Sequence, residues 1–181
     1  MARLSPLSDA FHQYAERWPA ESDAASFAAW LSDTARPFHR ETLEGHFTGS
    51  AWLVSDDGER VLLMHHRKLD RWLQPGGHAD GDPDLEGVAL REAREETGLG
   101  GLEVVPGIFD LDRHRIPARG HEPEHWHYDV RYVVVARGSE AFEANEESLA
   151  LAWHPVAEVA ADPATDESLR RMANKWLERA R

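Results

Sequence analysis

Glutamates occupy positions 92, 95 and 96 in the run Arg91-Glu92-Ala93-Arg94-Glu95-Glu96-Thr97-Gly98-Leu99. If this run is helical, residues three and four apart are neighbours, so the three carboxylates converge on one face. Like charges at that spacing repel by about a few tenths of a kcal/mol per exposed pair. Arg91 and Arg94 offset only part of this, and a bound cation would relieve the rest. Hard divalent ions such as Mg²⁺ suit the cluster, because they take oxygen from one or two carboxylates, keep several waters and bind substrate phosphates. Acidic runs also occur on ordinary solvated helices. Here the Gly76-Gly77 turn, a polar loop, an amphipathic pattern and the Gly98 stop all stand in register with the acids, which favours a site.

A second constellation is His125-Trp126-His127-Tyr128-Asp129. On a strand, alternation puts His125, His127 and Asp129 on one face. Two histidines and a carboxylate can bind a transition metal. The preferred expectation is contact of His127 and Asp129 with a ligand, and the pairing of Asp129 with Arg131 is a further alternative. His65, His66, Arg67, Lys68 and Arg71 form the densest basic stretch and lead towards Trp72, Gly77 and His78. A positive rim beside an acidic metal cluster suits a diphosphate-bearing ligand, so Arg67, Trp72 and His78 join the candidate substrate contacts, Trp72 by stacking on a base.

Composition narrows the partners. The chain has 181 residues, 20 Lys and Arg against 33 Asp and Glu, a net charge of -13, and no cysteine. The length suits one layered domain. The charge disfavours binding to a nucleic-acid polymer but not to a small phosphorylated ligand, since bound cations invert the local potential. Without cysteine there is no disulfide, thiolate zinc site or cysteine nucleophile. No apolar run approaches a bilayer span and no signal peptide is readable, so no membrane association and a cytoplasmic address are expected.

These groups need elements to position them. Leu7, Phe11, Tyr14 and Trp18 recur at helical spacing, and Phe27, Trp30, Leu31 and Thr34 repeat the pattern after Glu21-Ser22-Asp23. Phe47 to Ser55, the Asp56-Asp57-Gly58 turn and Arg60 to His66 read as a hairpin. Residues 67–75 read as a connection and 76–84 as a loop. Asp82 is the expected N-cap of the acidic helix, with Pro83 at its first position, and Gly98 with Gly100 its stop. Ala89, Leu90, Ala93 and Thr97 are expected to seat this helix on a sheet with its acids outward. Strands are expected around 102–105, 107–111, 130–136 and 149–153. A final helix, capped by Thr165 or Asp166, carries the apolar face Leu169, Met172, Ala173, Trp176 and Leu177. Trp52, Trp153 and Trp176 read as core.

The segment from Gly77 to Leu99 resembles the signature of the Nudix hydrolases, G-x5-E-x7-R-E-U-x-E-E-x-G-U with U a bulky apolar residue. It departs in two places: Pro83 stands where the family has its first glutamate, and Ala93 is small where a larger residue is usual. Asp80, Asp82, Asp84 and Glu86 are the candidates to replace that glutamate. The resemblance implies an α/β fold, an α/β/α sandwich with a mixed sheet over residues 45–181, preceded by an N-terminal helical extension over residues 1–44. It implies hydrolysis of a nucleoside diphosphate linked to another moiety, with Mg²⁺ or Mn²⁺. Glu92, Glu95, Glu96 and the carbonyl of Gly77 would be the metal ligands and Arg91 an orienting partner. The general base would be Glu92 or a glutamate of a later loop, Glu146 or Glu147, with Glu147 slightly preferred. The competing expectation, motivated by Pro83, is a catalytically silent Nudix-like module that binds a nucleotide for regulation. The N-terminal helices are candidates to mediate a homodimer or to cover the ligand cleft.

Overall fold

The computed structural model describes residues 6–21, 23–67, 69–143 and 148–179. Helices α1 (Pro6–Arg17) and α2 (Asp23–Asp33) precede β1 (Gly45–Ser55), β2 (Arg60–His66) and the short strands β3 (Arg71–Leu73) and β4 (Gly76–His78). Then follow α3 (Leu85–Thr97), β5 (Leu102–Ile116), β6 (His125–Ala136), β7 (Ser148–Pro155), α4 (Val156–Ala161) and α5 (Glu167–Arg179). The described strands form one mixed sheet in the order β3-β2-β1-β6-β5, with β4 added beside β1 and β7 beside β2.

Two pairings position everything else. β1 runs parallel to β6 from Gly45 opposite Trp126 to Ser55 opposite Ala136. The β1–β2 hairpin, by contrast, is paired only at Val54 and Val61. Beyond that point the strands splay, and β4 takes the place beside β1 with Gly77 opposite Gly49 and His78 opposite Thr48. Residues opposite one another share a face. One face therefore carries Phe47, Ala51, Leu53, Val130 and Val134 against α3, and the other carries Trp52, Val54, Val133 and Val135 against α4 and α5. Gly49 brings β1 into contact with α3: a Cβ there would stand 2.8 Å from the Leu85 carbonyl oxygen and 2.9 Å from Val88.

Both expected N-terminal helices form. Phe11, Tyr14, Ala24 and Phe27 bury against Phe47, Tyr128 and Leu111, with α1 and α2 packed on β5, so their apolar faces belong to the chain's own core.

Several local expectations need correction. The 102–105 and 107–111 strands are one strand, β5, whose register against β6 shifts between Val105 and Asp110. That shift absorbs Pro106, which lacks the N–H a regular ladder needs. The stretches read as connection and loop contain β3 and β4, too short to show a period. The N-cap of α3 is Asp84, whose Oδ1 accepts from the Gly87 N–H at 3.0 Å. Asp82 instead accepts from the Asp84 N–H at 2.9 Å; Leu85 is the first residue of the helix, and its burial sets the start. Helix α4, at six residues, is too short to show a period and was not expected. At α5, Asp166 rather than Thr165 caps, accepting from the Ser168 N–H at 2.9 Å.

Between the apolar and histidine-bearing parts of the second face lies a buried ion network. Asp110, fully buried, accepts from Arg131 (3.1 Å), Arg171 (2.7 Å) and Lys175 (2.7 Å). Arg131 in turn meets Asp129 at 2.7 Å and Asp112 at 3.3 Å. Lys175 also donates to Tyr14 at 2.6 Å and to Glu21 at 2.8 Å, tying α5 to the N-terminal segment. Burial alone would raise the Asp112 carboxyl, but the hydrogen bond from His114 together with Arg131 and Arg171 outweighs it and holds the group well below the usual carboxylate range.

Candidate active site

The acids of α3 lie over β4 and are graded in burial. Glu95 is exposed. The Glu92 side chain is 18% exposed, while Glu96 retains only 4%. Glu96 therefore sits on the seam between helix and sheet rather than outward, and its Oε2 accepts from the Gly76 N–H at 3.0 Å. Glu92 lies against Gly77: a Cβ on Gly77 would come within 2.5 Å of Oε2 and 2.6 Å of Cδ. Any larger residue would displace that carboxylate. Arg91 contacts Glu92 at 3.3 Å, the His78 carbonyl oxygen at 3.4 Å and Asp82 at 3.9 Å.

Of the acids near the missing first signature glutamate, Asp82 is therefore the one that reaches Arg91. Asp80 is paired with Arg40 at 2.6 Å and Asp84 caps the helix. The helix stops at Gly98, whose left-handed conformation (φ 67°) lets its N–H bond the Arg94 carbonyl.

This geometry fits a hard divalent cation. Glu92, Glu95 and Glu96 offer only oxygen, Glu92 and Glu96 lie against a backbone made approachable by glycine, and oxygen donors of this charge select Mg²⁺-like ions over softer metals.

The remaining sequence candidates are dispersed. His78 and His127 lie on the face opposite α3, since His78 pairs with Thr48 and His127 with His46. Asp129 is buried and accepts from Thr48 (2.8 Å), Ser50 (2.7 Å), Gln74 (3.4 Å) and Arg131 (2.7 Å). Its acceptor capacity is taken up inside the protein, and the pairing with Arg131 is the alternative the geometry displays. Trp72 stacks on His65 at 5.3 Å, meets His154 edge-on at 4.8 Å and packs against the cluster under α4 and α5, away from the glutamates. Arg67 follows β2 and is exposed. Glu146 and Glu147 lie outside the described residues.

The sequence did not single out His46. No local spacing could, because it is the parallel β1–β6 pairing that sets it opposite His127. Burial lowers His46 to about 4 and His127 to about 2, with the neighbouring imidazoles acting in the same direction. Both rings are neutral in the folded protein at neutral pH, whereas in the unfolded chain they protonate near 6.5. The unfolded chain then binds more protons, so stability rises with pH across this window. Metal-free protein is expected to lose stability as pH falls from 6.5 towards 4. Urea midpoints measured across that range check this, and His127→Gln should flatten the slope; an unchanged slope would acquit the ring.

A NUDIX domain profile matches residues 46–176. The chain belongs to the Nudix family. Nudix hydrolases generally need divalent metals, in keeping with the acidic face of α3. Over 102 residues this Nudix chain is 31% identical to Nucleoside diphosphate-linked moiety X motif 6 of Homo sapiens, an alignment covering 55% of this chain and 30% of the human protein. Over 154 residues it is 30% identical to a Mycobacterium tuberculosis protein provisionally named 8-oxo-dGTP diphosphatase 3, covering 68% of this chain and 66% of that one. The Nudix chain thus spans about a third to two thirds of the length of these relatives. Among solved structures, a C. elegans Ap4A hydrolase superposes with a TM-score of 0.59 at 16% identity, covering 74% of this chain and 96% of that one; at that identity the likeness is one of fold.

Proposed function

We propose that this protein is a Nudix-type pyrophosphohydrolase that cleaves the phosphoanhydride bond of a nucleoside diphosphate linked to another moiety, such as ADP-ribose, a nucleotide sugar or a nucleoside triphosphate. Mg²⁺ or Mn²⁺ held by Gly77, Glu92, Glu95 and Glu96 would supply charge neutralisation on the diphosphate and a lowered pKa for bound water. The observation that carries this reading is the seating of Glu92 on Gly77 and of Glu96 on the Gly76 N–H, which fixes two of the three acids before any ligand arrives. Preorganised charge of this kind lowers a barrier without reorganising during the reaction.

Arg91, bridging Glu92, Asp82 and the His78 carbonyl, orients the loop against the helix. The proton of the attacking water passes to Glu92 or Glu147, and the pH profiles of Glu92→Gln and Glu147→Gln separate the two. The protein would act on small molecules in the cytoplasm; no helix among the described residues is long and apolar enough to cross a membrane.

One observation favours a second reading. Pro83 in the place of the first signature glutamate would suit a silent module that binds nucleotide without turnover, although the contact between Asp82 and Arg91 supports a working replacement. Product release from a nucleotide panel in Mg²⁺ or Mn²⁺ tests both. Turnover of at least one diphosphate compound supports the hydrolase, and tight binding with no turnover of any compound transfers the case to the silent module.

Gly77→Ala gives a finer check. Its Cβ would collide with the end of the flexible Glu92 side chain, so turnover is expected to fall about 10- to 100-fold, the range for disturbing the support of a metal ligand, while the thermal midpoint barely moves. A large loss of stability at full activity would contradict the contact.

A further inference from the structure

A row of histidines crosses the sheet on the face turned away from α3. His46 of β1, His127 of β6 and His114 of β5 stand directly opposite one another. His125 precedes His127 by two residues on the same face, and His78 of β4 joins from beyond β1, with ring centroids 5.0 Å from His46 and 5.1 Å from His127. One nitrogen from each of His46, His125 and His127 lies within 4.8 Å of the other two. His46 is 3% exposed, and neither of its ring nitrogens has a hydrogen-bond partner among the described residues; the Thr42 carbonyl is near enough to favour the charged ring slightly without forming a well-aligned bond. A buried imidazole with both nitrogens unpaired is costly.

We infer that His46, His125 and His127 form a second metal site, separate from the acids of α3, for a borderline transition ion of the Zn²⁺ class.

The donor set is the first argument. Three imidazoles select zinc-like ions, whereas the carboxylates of α3 select magnesium-like ones. Geometry is the second. In a tetrahedral site with Zn–N of about 2.0–2.1 Å, ligand nitrogens stand about 3.3–3.4 Å apart, and Nε2 of His125 and Nε2 of His127 are already 3.3 Å apart. The third is orientation. His125 donates from Nδ1 to the Pro123 carbonyl oxygen at 2.9 Å, which leaves the Nε2 lone pair facing His127, the arrangement by which a backbone carbonyl sets the tautomer of a metal-bound histidine.

Access and charge agree. A cavity of about 70 Å³ opens onto two of the three ligands, His46 and His125, and is lined besides by Arg40, Leu43, His78 and Glu122, room for an ion and several waters. The Arg40 charge is offset in part by its two-pronged bond to Asp80 at 2.6 and 2.7 Å, and Glu122 adds a negative group at the rim. Water, His78 or Glu122 would complete the coordination. His114 is held aside by Asp112 at 2.9 Å. An ion here would pin the loop between β5 and β6 to the start of β1.

The test uses tag-free protein stripped with chelator, titrated with Zn²⁺ and with Co²⁺. The expected result is one Zn²⁺ per chain that excess Mg²⁺ does not displace, visible absorption typical of tetrahedral Co²⁺, and a rise in melting temperature on adding Zn²⁺. Affinity should fall at least about 100-fold in His46→Gln and in His125→Gln, and stay unchanged in the triple variant Glu92→Gln, Glu95→Gln, Glu96→Gln. Since His46 is buried and its variant could misfold, His125→Gln, altered at a partly exposed ring, is the deciding variant if circular dichroism shows His46→Gln unfolded. Stoichiometric zinc retained in His125→Gln, zinc lost in the glutamate variant but not in the histidine variants, or no zinc bound by the wild type would each overturn the assignment.

Discussion

Replacing both Glu95 and Glu96 by glutamine is expected to reduce metal-dependent turnover at least about 100-fold, the scale on which a single preorganised electrostatic group acts in a transition state. The effect should be on catalysis rather than folding. Glutamine keeps the shape of each side chain and an amide oxygen able to accept the Gly76 N–H that Glu96 now binds at 3.0 Å. It also removes repulsion between neighbouring acids on α3, so the thermal midpoint should hold or rise slightly. Turnover numbers at saturating Mn²⁺, read beside circular dichroism, decide the matter. Wild-type rates in the double variant would remove α3 from the chemistry and take the proposed hydrolase with it.

The second large effect lies in the ion network. Arg131, 3% exposed, is the cation shared by Asp110, Asp112 and Asp129. Replacing it with methionine preserves much of its volume and leaves Asp129 buried with Thr48, Ser50 and Gln74 but no cation. Breaking a buried pair by removing one partner costs about 3–5 kcal/mol, a large share of the roughly 5–15 kcal/mol that holds a domain together. Asp110 is better protected, since Arg171 and Lys175 remain.

Urea unfolding should therefore show a strongly lowered midpoint in Arg131→Met, partly recovered by adding Asp129→Asn. A loss below about 1 kcal/mol would mean that the network contributes little beyond its neighbours' packing. The same network predicts an acid limit. Asp112 is ionised in the fold at pH values where it would protonate in the unfolded chain, so the unfolded chain takes up more protons below the ordinary 3.8 and stability falls with further acid.

The acids of α3 were legible because their arrangement is local. A helix fixes neighbours at three and four residues whatever surrounds it, so Glu92, Glu95 and Glu96 could be placed on one face, Gly98 recognised as the stop, and Leu169, Met172 and Ala173 of α5 as a core face. Family resemblance added the chemistry, but from the same contiguous stretch. The first helices were readable for the same reason. Where local pattern misled, packing and pairing against other elements competed with it: burial of Leu85 outweighed the signal of Pro83, Pro106 was bridged by a shift in register, and β4 was given its place only by the splaying of β1 from β2.

Burial of Glu96, contact of Glu92 with Gly77, the meeting of His46 with His127 and the gathering of three carboxylates on Arg131 belong to the tertiary structure alone. Each joins segments through strand pairing or helix docking, and the parallel register of β1 on β6 spans some eighty residues. Alternation tells which residues of one strand share a face, but not which strand lies beside it or at what offset. Side-chain spacing along the chain thus determined the acidic helix, and only the packed sheet decided what stands beneath it and what lies on the opposite side.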